Sequence, residues 1–159
     1  MLAARLLQLI QAHAGPLTTE ALRDLTTNSR TTAFRSLRPA DVESRVSLLY
    51  YNLGKWIGDP NDEAVRAEYE EMGRTRFREG VPLSELVYAV IITKIHLRRY
   101  IRDNGLVEFA GDRILPDELL PLELHSIQEL NYLVDDFFDR ALYYLARGYE
   151  HESSPATPG

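Results

Sequence analysis

Leu86-Val87-Tyr88-Ala89-Val90-Ile91-Ile92-Thr93-Lys94-Ile95-His96-Leu97 decides how the rest of this chain is read. At helical spacing Leu86, Val87, Val90, Ile91 and Leu97 fall on one face, and Tyr88, Ile92 and Ile95 cover much of the other. A helix apolar on all sides sits at the centre of its own domain or is shared with a partner. No segment of the chain alternates apolar and polar residues over strand length. The fold class expected is all-α, a globin-like or orthogonal bundle of six or so helices.

Helix signals extend outward from that stretch in both directions. Pro82 and Ser84 open the apolar helix, and Asn104-Gly105 closes it at about Asp103. Before it, a helix from about Asp62 to Arg78 carries acid early (Asp62, Glu63, Glu68, Glu70, Glu71) and base late (Arg74, Arg76, Arg78). That order complements the helix dipole and allows a Glu70–Arg74 pair four residues apart. Gly80 suits the position just past its end. Further upstream, Pro39 fits a first helical turn, and Val42, Val46, Leu49, Leu53 and Trp56 repeat at three and four residues. Gly58-Asp59-Pro60-Asn61-Asp62 ends that helix and caps the next. At the amino end, a helix over about Leu2–His13, with Leu2, Leu6, Leu9 and Ile10 at helical spacing, should stop at Gly15-Pro16. Thr18 or Thr19 would then cap a second helix holding Leu22 and Leu25. Residues 26–38 read as a loop with a short turn around Phe34, because Ser, Thr and Asn side chains compete for the backbone. Downstream, a connector with Gly111 and Pro116 leads to a last helix of about Leu122–Arg147, roughly 39 Å long. Its stripe is Ile127, Leu130, Val134, Phe137, Phe138, Ala141 and Leu145.

The whole chain bounds what these helices can do. Its 159 residues make one domain, 1–150, large enough to bury roughly 70% of its unfolded surface, followed by a tail, 151–159, expected to be disordered. There is no cysteine, hence no disulfide and no thiolate metal site. A formal charge of −6 argues against a general nucleic-acid surface. The apolar run Leu86–Ile92 is far short of the ~20 residues a bilayer needs. Arg5, Gln8 and Gln11 interrupt any signal-peptide core. Cytoplasmic residence is the expectation, with neither membrane nor nucleic acid as partner.

Candidate chemistry is sparse. Tyr88 and His96, on the apolar helix, are the candidate pocket or ligand residues. For His96, flanked by Lys94, Arg98 and Arg99, the ordinary reading is a partly buried side chain hydrogen-bonded to a neighbouring helix. The alternatives are a proximal haem ligand and a phosphorelay histidine with basic neighbours to balance a phosphate. The haem reading lacks a distal histidine, and the phosphorelay reading conflicts with the apolar surroundings, so no cofactor is expected. A di-iron site fails on spacing, because Glu123 and His125 lie two residues apart. No glycine-rich phosphate loop and no nucleophile elbow occurs. Asp135, Asp136 and Asp139 read as a solvated acidic face with Arg140 nearby. Lys94, Arg98, Arg99 and Arg102 form a basic cluster that offers a minority reading as an anion or acidic-partner site. Tyr132, Tyr143, Tyr144 and Tyr149 exceed what one buried stripe needs. With Arg98 and Arg99 they are the candidate dimer or partner surface. No catalytic constellation and no metal site emerges, and no enzyme is expected.

Two blocks carry a resemblance. One is Met72-Gly73-Arg74-Thr75-Arg76-Phe77-Arg78-Glu79-Gly80-Val81-Pro82-Leu83-Ser84-Glu85-Leu86, running on to Ile95-His96-Leu97. The other is Phe137-Phe138-Asp139-Arg140-Ala141-Leu142-Tyr143-Tyr144 with Arg147-Gly148-Tyr149-Glu150. Together they resemble the amino-terminal sensory domain of the RsbT co-antagonist (RsbR and RsbRD type) proteins, most firmly from Leu53 to Glu150. The resemblance implies a globin-like helical fold that binds no haem, forms dimers, and passes signals within bacterial stress signalling. It implies no ligand and no binding residue. With only a short tail after Glu150, the expectation is a module acting in trans on a protein partner or through a small ligand.

Overall fold

The computed structural model describes residues 2–105 and 120–154; the side chains of 2–7, 9, 104, 105, 120, 122, 123, 126 and 127 are outside that description. The connector with Gly111 and Pro116, the end of the tail from Pro155, and the packing of Leu2, Leu6, Leu9 and Ile127 therefore lie outside the described residues. Five α-helices and no strand are found among the described residues: α1 (Leu2–Thr27), α2 (Pro39–Gly58), α3 (Asp62–Arg78), α4 (Leu83–Tyr100) and α5 (Leu120–Ser153). A 3₁₀ turn, Thr32–Ser36, follows α1, and a π turn, Ile101–Gly105, extends α4 to the expected stop. The fold is all-α with a long carboxy-terminal helix.

The count falls below six because the expected break at Gly15-Pro16 does not occur. Pro16 lies inside α1, where it forfeits the bond to the Ala12 carbonyl at a cost of about 3 kcal/mol. Two features offset this. Gly15 has no Cβ to collide with the proline ring. Beyond it, Leu17, Ala21 and Leu25 are fully buried and hold the second half of α1 in line. Thr18 and Thr19 are mid-helix rather than caps: Thr18 is buried, and the Thr19 hydroxyl donates to the Gly15 carbonyl at 3.0 Å.

Local signals elsewhere act as read. The Asn61 side chain accepts from the Ala64 N–H at 3.1 Å and caps α3. Gly80, at φ +76°, supplies the left-handed residue that ends it. The 3₁₀ turn buries Phe34 within the segment read as a loop with a turn there, although α1 already occupies its first two residues, Thr26 and Thr27. Glu70 and Arg74 pair at 3.9 Å.

The core centres on α3 and α5. Phe137 meets Tyr69 edge-on at 6.0 Å and Phe138 edge-on at 5.4 Å, and lies tilted against Trp56 at 6.4 Å, contacts worth ~0.5–1.5 kcal/mol each beyond area burial. At the other end of this pair the helices touch backbone to backbone. A Cβ on Gly73 would fall 2.1 Å from the Leu145 carbonyl oxygen, and one on Gly148 would fall 2.0 Å from that of Glu70. The two glycines face each other's helix, so the crossing tolerates no side chain on either.

α5 exceeds its expected span at both ends. Residues 151–153, expected in the tail, are helical. The Arg78 guanidinium holds Glu152 at 2.9 Å. The Ser153 and Ser154 hydroxyls donate to the Glu150 carbonyl. At 34 residues α5 is about 51 Å long.

Candidate functional site

α4 is clasped along two edges and open between them. Its inner face, Leu86, Ala89, Val90, Ile92, Thr93 and Leu97, is buried. Thr93 satisfies its hydroxyl on the Ala89 carbonyl at 2.9 Å, and its own carbonyl accepts from the buried Tyr50 hydroxyl at 3.1 Å. These two pairings explain how a polar residue sits in that face without penalty.

The first edge joins α4 to α1 and the 3₁₀ turn. His96 Nε2 lies 2.8 Å from Asp24 Oδ2, and Nδ1 lies 3.9 Å from Glu20. Burial pushes the Asp24 carboxyl up, but hydrogen bonds from His96 and Asn28 and the charges of His96 and Arg99 outweigh it, leaving Asp24 below the usual carboxylate range. Two turns earlier, the Tyr88 hydroxyl accepts from Arg30 Nη1 at 3.0 Å, with the guanidinium 5.2 Å over the ring. Glu85 accepts from the Thr32 hydroxyl at 2.9 Å and the Ala33 N–H at 2.8 Å.

The second edge joins α4 to α5. Lys94 Nζ and Arg98 Nη1 each reach Asp135 Oδ1 at 3.0 Å. This corrects the reading of Asp135 as part of a merely solvated face, and it absorbs two members of the basic cluster. Asp136 pairs with Arg140 at 2.9 Å. Asp139 stays at the surface, 3.9 Å from Lys94. Arg102 pairs with its neighbour Asp103 at 3.0 Å.

Between these edges Val87 and Ile91 are half-buried and Ile95 is 37% exposed. The three recur every four residues and form one outward aliphatic line. The helix that reads as apolar all round is thus buried on one face and partly exposed on another.

The two candidate ligand residues are not brought together. Tyr88 is committed to Arg30, whereas His96 faces α1 across a polar cleft of about 590 Å³ that also includes Glu20, Asp24, Arg99 and Asp103. An iron or phosphoryl group on Nε2 would have to displace Asp24. Among the described residues no group of three metal-ligating side chains comes together, and no helix is long and apolar enough to cross a membrane.

The tyrosines divide. Tyr132 is 71% exposed and Tyr143 57%, but Tyr144 donates to Asp62 at 2.7 Å, and Tyr149 donates to the Val81 carbonyl at 2.7 Å with its ring edge-on to Phe77. Tyr144 and Tyr149 therefore fasten α5 to the rest of the domain, which leaves Tyr132 and Tyr143 as outward aromatic groups. Arg99 is exposed beside His96. Sequence reasoning did not foresee Asp24, Arg30 or Glu85 as the partners of α4. Nothing in their own spacing marks them, since helical periodicity carries no register between helices.

Among the described residues, a central helix clasped on two edges and outward apolar and aromatic side chains make this a helical module that presents surface groups. The chain is a member of the RsbT co-antagonist protein rsbRD N-terminal domain family, whose model matches residues 1–154. That family comprises regulatory domains of stress signalling. No curated protein and no solved structure matches the chain.

Proposed function

We infer that this regulatory domain is non-haem and globin-like, works through protein contacts, and pairs with a second copy along the outward line of α4. The observation that carries this reading is the Val87–Ile91–Ile95 line between two edges whose polar groups are already engaged. An isolated exposed aliphatic needs no explanation, but a contiguous strip is a marker of association. A two-fold axis across such a strip lets it pack on its own copy, with Lys94 and Arg98 at the rim. The family's name associates it with co-antagonism of RsbT, so an assembly containing RsbT is the protein partner expected for the exposed Tyr132 and Tyr143.

Sedimentation equilibrium at micromolar concentration tests the pairing. A dimer is expected for the parent, and Ile95→Glu, at an already exposed position, should weaken it at least about tenfold, equivalent to about 1.4 kcal/mol. A parent chain that stays monomeric refutes the reading. The engaged Nε2 of His96 supports the non-haem reading. A Soret band on adding haem that disappears in His96→Ala would replace it with a haem sensor. Transfer of phosphate to His96 from a phosphorylated receiver domain would replace it with a phosphorelay protein.

A further inference from the structure

A second cleft, of about 500 Å³, opens on another part of the molecule, and every described residue on its wall belongs to α2, α3 or the turn between them. Its lining is mainly apolar. Three of the lining side chains are polar and almost fully enclosed: Asn52 at 6%, Trp56 at 5% and Tyr69 at 0% exposure. Asn52 and Trp56 lie four residues apart on one face of α2. Tyr69 comes from α3, and the Asn52 amide donates to its hydroxyl at 3.1 Å.

That trio is incompletely satisfied. Trp56 Nε1–H is buried and has no hydrogen-bond partner among the described residues. The Asn52–Tyr69 bond uses one donor and one acceptor, and neither residue makes another side-chain hydrogen bond among the described residues. Whichever way the amide is turned, the pair keeps two unused donor hydrogens and at least one unused acceptor. Burial raises the Tyr69 phenol above its ordinary value, so it keeps its proton. An enclosed polar group normally finds a partner. Here the Trp56 N–H is left buried without a partner, and the Asn52–Tyr69 pair keeps spare donors and an acceptor, beside an apolar hollow within the size range of small-molecule sites.

The chemistry of an occupant follows from these groups. The Trp56 N–H together with a spare donor of the Asn52–Tyr69 pair suits a carbonyl oxygen, and the acceptor of that pair suits an adjacent N–H. None of the three enclosed groups carries a charge. At the rim Lys55 sits over the Tyr51 ring at 5.0 Å, and Asp59 and Glu68 bring opposite charge, so no single ionic sign is selected. We propose that the α2–α3 cleft binds a small uncharged carboxamide or lactam carried on an apolar ring, held by Asn52, Trp56 and Tyr69. This site is independent of whether α4 pairs two copies.

Trp56 is the chain's single tryptophan, so the one indole N–H signal in a ¹H–¹⁵N correlation spectrum reports on the cleft. Titration with benzamide should shift that signal saturably in the millimolar range. Benzoate, of the same shape but charged, should bind at least about tenfold more weakly, because no buried cation is there to offset its desolvation. Ala64→Leu, at an exposed position on the cleft wall, should remove the response without touching the core. Tyr69→Phe should weaken it about tenfold, the loss of one hydrogen bond. An indole signal that does not move, or moves linearly without saturation, overturns the proposal. Equal responses to benzamide and benzoate, or a response untouched by Ala64→Leu, overturn it as well.

Discussion

Replacing Gly148 by alanine adds one methyl group at the tightest point of the domain. The new Cβ would sit 2.0 Å from the Glu70 carbonyl oxygen and 2.7 Å from its carbon, about 1.4 Å short of ordinary contact. Both obstructing atoms are backbone, so no rotamer change relieves the clash and α3 must draw back from α5. Overpacking of this kind costs about 1–3 kcal/mol, and a backbone obstacle places it at the upper end. Alanine returns up to about 1 kcal/mol through helix propensity. The net loss expected is about 2 kcal/mol, a fall in Tm of roughly 4–8 °C for a chain of this size. Gly58→Ala is the matched control, since a Cβ there meets nothing within 4 Å, so it should leave stability unchanged or raise it by up to about 1 kcal/mol. Urea denaturation followed by far-UV circular dichroism, at one fixed protein concentration, measures both. If Gly148→Ala matches the control or exceeds the parent, the helices do not meet backbone to backbone and the account of this crossing is wrong.

Other consequences are smaller. Tyr149→Phe removes the hydroxyl that donates to the Val81 carbonyl but keeps the ring on Phe77; about 0.5–1.5 kcal/mol should be lost, and unchanged denaturation would refute the role given to that bond. Asn61→Ala removes the cap of α3 and should cost about 1 kcal/mol, read by the same melt. Acid stability follows from two carboxylates. Burial raises Asp24 and Glu79, but His96 with Asn28 lowers Asp24, and Arg45 with Arg76 lowers Glu79, leaving both below their ordinary values. The folded chain then binds fewer protons than the unfolded one, so the stability these groups supply is complete above the unfolded values near pH ~4 and is lost as pH falls through the folded ones. Glu79→Gln should flatten that acid limb in denaturation curves taken from about pH 7 down to about pH 3, and an acid limb identical to the parent's would exclude Glu79 from it.

Helix boundaries were legible wherever a local chemical signal sets them. Pro39 at the start of α2, the Asn61 cap, and Gly80 with Pro82 act within one turn, and a sequence displays everything within one turn. Gly15-Pro16 misled because the break it announces is overridden by Leu17, Ala21 and Leu25, whose burial depends on helices distant in the chain. That Gly73 and Gly148 each face the other's helix could not be read from either helix alone. The same limit applies to the site. His96 reads as a partly buried, hydrogen-bonded residue, and that is where it lies. Its partner Asp24 is 72 residues away, and no periodicity links the two. The four tyrosines of the last helix looked alike in sequence; only the positions of Asp62 and Val81 separate Tyr144 and Tyr149 from Tyr132 and Tyr143.

The two clasped edges of α4 give its bare line a meaning that exposure alone would not. Had Lys94, Arg98, Tyr88 and His96 been free, long polar side chains could have folded over Val87, Ile91 and Ile95 and shielded them from water. Instead Lys94 and Arg98 are drawn to Asp135, Tyr88 to Arg30, and His96 to Asp24. Each pairing pulls a would-be cover away from the line and spends its polar group elsewhere. The core side of α4 is filled by Leu86, Val90, Ile92 and Leu97, while Val87 and Ile91 stay half-buried and Ile95 exposed on the other side. Burying the line on a partner would therefore add apolar area without breaking any intramolecular bond, and at ~25 cal/mol per Å² that area is the driving force. A change that loosened either edge would let its side chains fall back over the line and compete with the partner. On the proposed pairing, the clasps to α1 and α5 are where a signal reaching either helix would alter association at α4.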